Sequence, residues 1–450
     1  MDTQHRSGVA VTRAGAGGPP AVLLQNEIRP YPWGSTTAIP ELLGVEPTGE
    51  PQAELWMGAH PGAPSRLRHG TAIGAALPTL LSQVEADPAG ELGGAVVSEL
   101  GTRLPFLLKV LAVERPVSLQ AHPSTEQARA GYAEEDRQGV PIGARHRNYR
   151  DTCQKPELLC ALTQVEALCG FRGTPRTVRL LGGLDVPGLA PYADALRARP
   201  DSEGLREVVT GLLTMPASAR RRLVTAVTAA CQRAATAAGS DGMDAPAVAD
   251  VKDGPDRPHA EFAAEYRWGA RLGEWYPDDI GVVTALLMNL VRLRPGEAVF
   301  LPSGNLHSYL FGLGVEIMAN SDNVLRGGLT SKHVDVPELL RILDFGDGPE
   351  FRPPVRRLPT GEELYQAPVK EFRLSRLRLR AGSPVTLDTP DTSGPQILLV
   401  ADGEVWVTGR SGRLSLPRGA SAYVSAGRPP VTVSGDGLLF RATTNVPARE

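Results

Sequence analysis

Gln120 and His122 stand two residues apart in the run "SLQAHPS" (118–124). In an extended strand that spacing aims both side chains at one face. An amide oxygen and an imidazole nitrogen pointing into the same space make either a hydrogen-bonded pair or half of a metal site. Two further residues bear on the choice. Glu157 opens the apolar stretch "KPELLCAL", just after Lys155 and Pro156, and a carboxylate entering a buried strand needs a partner because an unpaired buried charge is costly. His307 lies in "GNLHSYL", beside a turn. Of eight histidines, His122 and His307 are the two in strand-like surroundings next to turns. Either alone is more often a hydrogen-bonded imidazole than a ligand. Taken together, Gln120, His122, Glu157 and His307 supply two nitrogens and two oxygens, a set suited to zinc with one position open for water or substrate.

The elements that must hold these residues change character along the chain. After a polar, Gly-rich tail (1–20), residues 21–172 read as short strands separated by Gly and Pro. "RLPFLLKVLAV" has the look of a buried strand, and "RPVSLQAH" follows after a turn. "STEQARAGYAEE" starts a helix, with Ser124 as N-cap and Gln127 in the capping-box position. Residues 173–275 read as a helical domain rich in Ala, Leu and Arg. In "SARRRLVTAVTAACQRAATAA" the arginines are expected to form a solvated face. Within that domain, residues 239–259 ("GSDGMDAPAVADVKDGPDRPH") are expected to be a flexible loop, and their aspartates do not follow EF-hand spacing.

Residues 276–345 return to strands. Short turns at "RPGE" and "SGN" join "LVRL", "AVFLP" and "HSYLF", which predicts hairpins in a jelly roll. Residues 346–450 alternate apolar and polar, as expected of a second β-barrel. The last histidine is His333, so this barrel offers a metal no imidazole. The expected class is therefore mainly β with a helical domain.

A chain of 450 residues exceeds one ordinary core and implies two or three domains. With 42% hydrophobic and 22% charged residues the composition is globular, and 49 Gly and 40 Pro favour turn-rich β structure. A formal charge of -3, from 47 Lys and Arg against 50 Asp and Glu, predicts neither a nucleic-acid partner nor an acidic membrane surface. No apolar run approaches the roughly 18 residues of a membrane span, and the N-terminus lacks the apolar core of a signal peptide. Cysteines 153, 160, 169 and 231 form no CxxC pair and read as free thiols of a reducing compartment. The expected location is the cytoplasm.

Several stretches resemble the type I mannose-6-phosphate isomerases (phosphomannose isomerases), a family of zinc-dependent cupin enzymes. They are "YPWGS" (31–35), "ELWMGAHPGAPS" (54–65), "LPFLLKVLAVERPVSLQAHPS" (104–124), "NYRDTCQKPELLCALTQVEALCGFR" (148–172) and the long run from 276 to 336 that contains "GNLHSYL" and "SDNVLRGGLT". The resemblance spans about residues 23–345 in unbroken motif order, whereas the C-terminal region fits only as a generic barrel.

The resemblance implies a catalytic cupin barrel split between 21–172 and 276–345, with a cupin-like barrel after it. It implies one zinc ion per chain on Gln120, His122, Glu157 and His307. The implied reaction interconverts mannose 6-phosphate and fructose 6-phosphate through a cis-enediol. Lys155, Arg326, Asp322 and Glu316 fall in the implied active site, with Arg326 stabilising the enediolate or holding phosphate. Asp322 and Glu316 remain unranked as the base.

No P-loop glycine pattern is present, so phosphate must be held by cations and hydroxyls. Ser118 and Lys109 are candidates; the alternative for Lys109 is a structural pair with a buried carboxylate such as Glu114. Trp33 either walls the pocket or sits in the core. The family commonly reads "NHKPE" where this chain reads "CQKPE", so Gln154 replaces a histidine. That departure leaves room for an isomerase of another sugar or sugar phosphate. A non-catalytic sugar-phosphate-binding cupin is a further alternative. The expected partner is a small sugar phosphate, and the expected state a monomer or weak homo-oligomer.

Overall fold

The computed structural model describes residues 11–13, 20–68, 77–238, 261–346, 352–387 and 392–447. The expected loop 239–259, and the expected tail apart from 11–13 and 20, lie outside the described residues.

Two large antiparallel sheets dominate. In the ten-stranded sheet the order across the main path is Met288–Leu293, Val165–Phe171, His307–Ala319, Phe106–Val113, Glu54–Met57 and Glu27–Arg29. Off this path, Ala298–Leu301 pairs with Glu157–Ala161, and Leu325–Gly328 pairs with Leu119–Ala121. The 13-residue strand His307–Ala319 is the axis. Its first residues pair with Val165–Phe171 and Gln120, and its last with Phe106–Val113 and Glu157–Ala161. One strand thus joins two walls of a barrel, and side chains from both walls reach the interior between them.

The predicted hairpins are overturned. Met288–Leu293 pairs with Val165–Phe171, and Ala298–Leu301 with Glu157–Ala161, rather than with each other or with His307–Ala319. The short turns carry the chain from one wall to the other, as in a Greek key. Each strand then finds its hydrogen bonds in a partner distant in sequence. Between Leu80 and Leu100 three short helices also replace the expected strands. Thr79 caps the first through a capping box with Ser82, and Asp87 caps the second ahead of Pro88. Pro and Gly here start and stop helices instead of making strand turns.

Phe106–Val113 is buried along its whole length because both faces are covered. Phe106, Leu108, Val110 and Ala112 meet Phe372, Leu374, Ile397, Leu399 and Phe440 of the C-terminal strands. The alternate face, carrying Leu107, Lys109 and Leu111, lines the barrel interior. The eleven-stranded sheet is built from residues 355–443 and also takes Val11–Arg13, Val22–Gln25 and Arg66–Arg68. Two strands from the segment expected in the first catalytic half therefore belong to the C-terminal layer.

Helices Thr174–Gly183, Ala190–Ala198, Ser202–Leu213, Ala217–Ala237 and Ala263–Trp275 pack Leu180, Leu196, Val208, Val227 and Tyr266 into a second core. Arg221, Arg222 and Arg233 stay exposed. Among the described residues no helix is long and apolar enough to cross a membrane.

Candidate active site

His122 follows the strand Leu119–Ala121, Glu157 begins Glu157–Ala161 and His307 begins His307–Ala319. The pairing brings these three strand ends together. His122 Nε2 lies 3.3 Å from Glu157 Oε1, and His307 Nε2 lies 3.3 Å from Glu157 Oε2. All three side chains are at most 2% exposed.

Each imidazole has a fixed tautomer. His122 Nδ1 is 2.7 Å from the Asn323 carbonyl oxygen and His307 Nδ1 is 3.0 Å from that of Asn305. A carbonyl only accepts, so both Nδ1 atoms carry the proton and both Nε2 atoms are bare lone pairs. Burial, with Lys155 adding to it, pushes His122 down to about 4, which keeps the ring neutral. Burial alone would raise Glu157, but the Lys155 ammonium holds it well below the usual carboxylate range.

His122 Nε2, His307 Nε2 and Glu157 Oε2 are buried without a hydrogen-bond partner. Two lone pairs against a carboxylate repel unless a cation lies among them. A tetrahedral ion with arms of about 2.0–2.1 Å has donor-to-donor edges of about 3.3 Å, and each imidazole stands at that distance from one oxygen of the carboxylate. The three residues form a group that could hold a metal ion. Gln120 stands opposite both His307 and Arg326 in the strand pairing and lines the same cavity.

That cavity measures about 1660 Å³. Trp33, Lys109, Ser118, Gln120, Lys155, Glu157, Glu316, Asp322 and Arg326 all line it, with His122 and His307 buried behind. Lys155 Nζ is 3.1 Å from Glu157 Oε1. The ring of Trp33 stacks on Tyr31 at 5.7 Å.

Across the sheet Trp56, Lys109 and Glu316 form one cross-strand row. Lys109 Nζ lies 3.3 Å from Glu316, 3.6 Å from Glu54 and 5.1 Å from the centre of the Trp56 ring. Glu114, the carboxylate suggested for Lys109, is exposed beyond the strand end; Glu54 and Glu316 take that place. Burial pushes Glu316 up to about 7, Glu157 adds to the rise and Lys109 opposes it. Burial would lower Lys109, yet Glu54 and Glu316 hold it above its ordinary value.

The same cavity holds a cationic group. Arg326, Arg150 and Lys332 line the cavity. Burial lowers Arg326 and Lys332 from their ordinary values, and the neighbouring cations add to the effect. No carboxylate among the described residues comes within ion-pair distance of these three. Cations gathered without a counter-ion fit an anionic ligand.

The buried Asn323 side chain fixes the loops beneath. Its Oδ1 accepts from the Arg150 and Asp151 backbone N–H groups, and its Nδ2 donates to the carbonyls of Asp151 and Cys153. Asp151 accepts in turn from Ser321 Oγ and the Asp322 N–H. The segments carrying Lys155 and Asp322 are thus laced into one unit.

Comparison with known proteins follows the same outline. Residues 22–174 match the model of the phosphomannose isomerase type I catalytic domain. The mannose-6-phosphate isomerase of Escherichia coli is 36% identical over 420 residues, covering 93% of this chain and 98% of that protein. The chain belongs to the mannose-6-phosphate isomerase family. Mannose-6-phosphate isomerase 1 of Arabidopsis thaliana is 32% identical over 89% of this chain and 86% of its own length. The structure of the Salmonella typhimurium mannose 6-phosphate isomerase bound to fructose 6-phosphate and zinc superimposes with a TM-score of 0.81 at 33% identity, covering 94% of this chain and 99% of that one.

Within this mannose-6-phosphate isomerase fold, position 154 points away from the cavity. Gln154 Nε2 donates to Glu371 Oε1 at 2.7 Å, a contact with the C-terminal region, and Gln154 is not among the lining residues. All four cysteines are free, and of them only Cys153 is exposed.

Sequence reasoning missed Glu54, Trp56, His60, Arg150, Tyr309 and Lys332, all on the cavity wall. Glu54 and Trp56 carried a usable signal, the same i, i+2 strand spacing that singled out Gln120 and His122. Lys332 and Arg150 sit in loops where no period exists to read.

Proposed function

We propose that the chain is a zinc-dependent aldose–ketose isomerase that interconverts mannose 6-phosphate and fructose 6-phosphate through a cis-enediol. The observation that carries this reading is the pair of bare imidazole nitrogens and the carboxylate, each nitrogen 3.3 Å from one carboxylate oxygen, beside a cavity that also holds Arg326, Arg150 and Lys332. Arg326 stands two strand spacings from His307, with Gln120 between them. That is on the order of 10 Å, so a six-carbon sugar phosphate can bridge a metal end and an anion end. The zinc and fructose 6-phosphate of the Salmonella relative agree with both ends.

His122, Glu157, His307 and Gln120 would hold zinc, which supplies a Lewis acid for a sugar oxygen. Arg326, Arg150 and Lys332 hold the phosphate, and Ser118 lies on the same wall. Lys109 has its charge matched by Glu54 and Glu316, and its role is to hold Glu316. Glu316 is the proton-transfer base, since a carboxyl pushed up to about 7 can both take and return a proton near neutral pH. Lys155, beside Glu157, faces the oxygens on which enediolate charge develops. Asp322 stays ionised and accepts from sugar hydroxyls.

The test is incubation of the purified, zinc-loaded protein with fructose 6-phosphate in deuterated water, followed by NMR. Mannose 6-phosphate carrying deuterium at C2, lost on adding a chelator, is the expected result. Absence of any product with zinc bound would sink the proposal.

A further inference from the structure

His60 lies in the loop after Glu54–Met57 and is 6% exposed. Its ring meets Trp56 edge-on, 4.9 Å between centres. The Gly62 backbone N–H donates to His60 Nδ1 at 3.0 Å. A backbone N–H only donates, so Nδ1 is bare and Nε2 of the neutral ring carries the proton. That Nε2 lies 3.3 Å from Asp322 Oδ1. Asp322 follows His307–Ala319, which flanks Phe106–Val113 on the side opposite Glu54–Met57, and its own N–H donates to Asp151 Oδ2 at 2.8 Å. Its side chain is 50% exposed and lines the cavity.

The asymmetry decides the reading. A carboxylate half in water needs no partner to stay charged. A buried imidazole, held by a ring contact and a backbone bond in the tautomer that donates to Asp322, therefore does little for solvation. What it changes is orientation. With Oδ1 engaged by His60 and the backbone tied to Asp151, the Asp322 carboxylate loses its freedom to swing about χ1 and χ2. Lys155 and Arg150 are cations near it, and Asp151 is a neighbouring carboxylate.

We propose that His60 is a positioning residue that holds the Asp322 carboxylate in one orientation toward the bound sugar. This rests on the isomerase reading given above. His60 need not touch the sugar; it acts through Asp322.

The experiment is a double-mutant cycle on the zinc-loaded full chain, with kcat and KM for fructose 6-phosphate, zinc content and Tm measured for each variant. His60→Leu removes the donor. His60→Gln keeps an N–H at similar reach. Both are also made in an Asp322→Asn background. The expected result for His60→Leu is a kcat about 10- to 100-fold lower at full zinc content, with KM changed by no more than about threefold. His60→Gln is expected to recover most of the loss, and His60→Leu is expected to cost nothing further once Asp322 is Asn.

Multiplicative losses would show that His60 acts independently of Asp322 and overturn the proposal, as would an unchanged kcat. Should His60→Leu fail to fold, the ring nitrogens of the unmodified protein decide, read by 15N NMR. A protonated Nε2 whose proton resonance moves in Asp322→Asn supports the bond, and a protonated Nδ1 overturns it. Failure of the unmodified, zinc-loaded protein to turn over fructose 6-phosphate overturns the isomerase reading itself, and the 15N measurement still tests the bond.

Discussion

Lys109 and Lys332 are both cations on the cavity wall, and their neighbours give them different duties. Lys109 stands between Glu54 and Glu316, which leaves the carboxylates uncompensated if it is removed. Breaking a buried pair from one side costs about 3–5 kcal/mol, so Lys109→Met is expected to lose about 3 kcal/mol, measured by urea unfolding in EDTA. The loss should depend on pH. Glu316 has a folded pKa of about 7, above the usual carboxylate value, so its contribution is full below the unfolded value and fades as pH rises through 7. Without Lys109 that rise goes further, and the gap between variant and parent should widen from pH 5 to pH 8. A gap independent of pH would remove Glu316 from the account. Lys332 lines the cavity while reaching solvent, and no carboxylate among the described residues pairs with it. Lys332→Ala should therefore leave stability within about 0.5 kcal/mol while raising KM for fructose 6-phosphate about 10-fold, one charge-assisted contact being worth about 1.5–3 kcal/mol. A stability loss with KM unchanged would reverse the assignment.

Strand phase explains why some of this site was readable from sequence and some was not. Gln120, His122, Glu157 and His307 announced themselves as polar groups at strand spacing or at the edge of apolar runs. Glu316 lies on the same strand as His307 but out of phase with it, since 307 and 309 are odd positions and 316 is even. The register slips between Tyr309 and Phe311, and Tyr309, Glu316 and Met318 all reach the cavity. A bulge inserts one residue and moves every later side chain to the opposite face, which alternation alone cannot foretell. His60 was hidden for another reason, because its partner Asp322 lies about 260 residues away in sequence and is brought near by the strand pairing on either side of Phe106–Val113. The wall itself is placed by close packing. A Cβ on Gly34 would lie 2.5 Å from the Ala53 backbone, and Gly34 follows Trp33 on the cavity wall. Gly→Ala at a relaxed site gains up to about 1 kcal/mol through the unfolded chain, but a backbone clash outweighs that. Gly34→Ala is expected to cost about 2 kcal/mol or more and to lower kcat/KM as Trp33 shifts. A variant as stable as its parent would mean that the two segments can separate freely.

The two sheets share one interior, and that bears on how the chain unfolds. Leu55, Phe106, Leu108, Val110, Leu158 and Ile317 of the ten-stranded sheet face Phe372, Leu374, Ile397, Leu399 and Phe440 of the other. Val22–Gln25, from the start of the chain, completes the second sheet beside Ser421–Val424. The resemblance read from sequence stopped near residue 345 because the C-terminal strands carry no chemistry-bearing motif, only alternation. Their contribution is burial. Uncovering six large side chains at about 2 kcal/mol each costs on the order of 10 kcal/mol, which is comparable to the whole stability of an ordinary domain. A fragment ending at residue 345 is therefore expected to lack a cooperative transition and to aggregate. The full chain should melt in one step by both circular dichroism and calorimetry. Bound metal adds to the stability of the folded state alone. Adding a chelator should accordingly lower that single Tm without splitting the transition, since the strands bearing Glu157 and His307 also carry the shared core. Two resolved transitions, or a 1–345 fragment that binds zinc and melts cooperatively, would show that the catalytic barrel stands without its neighbour.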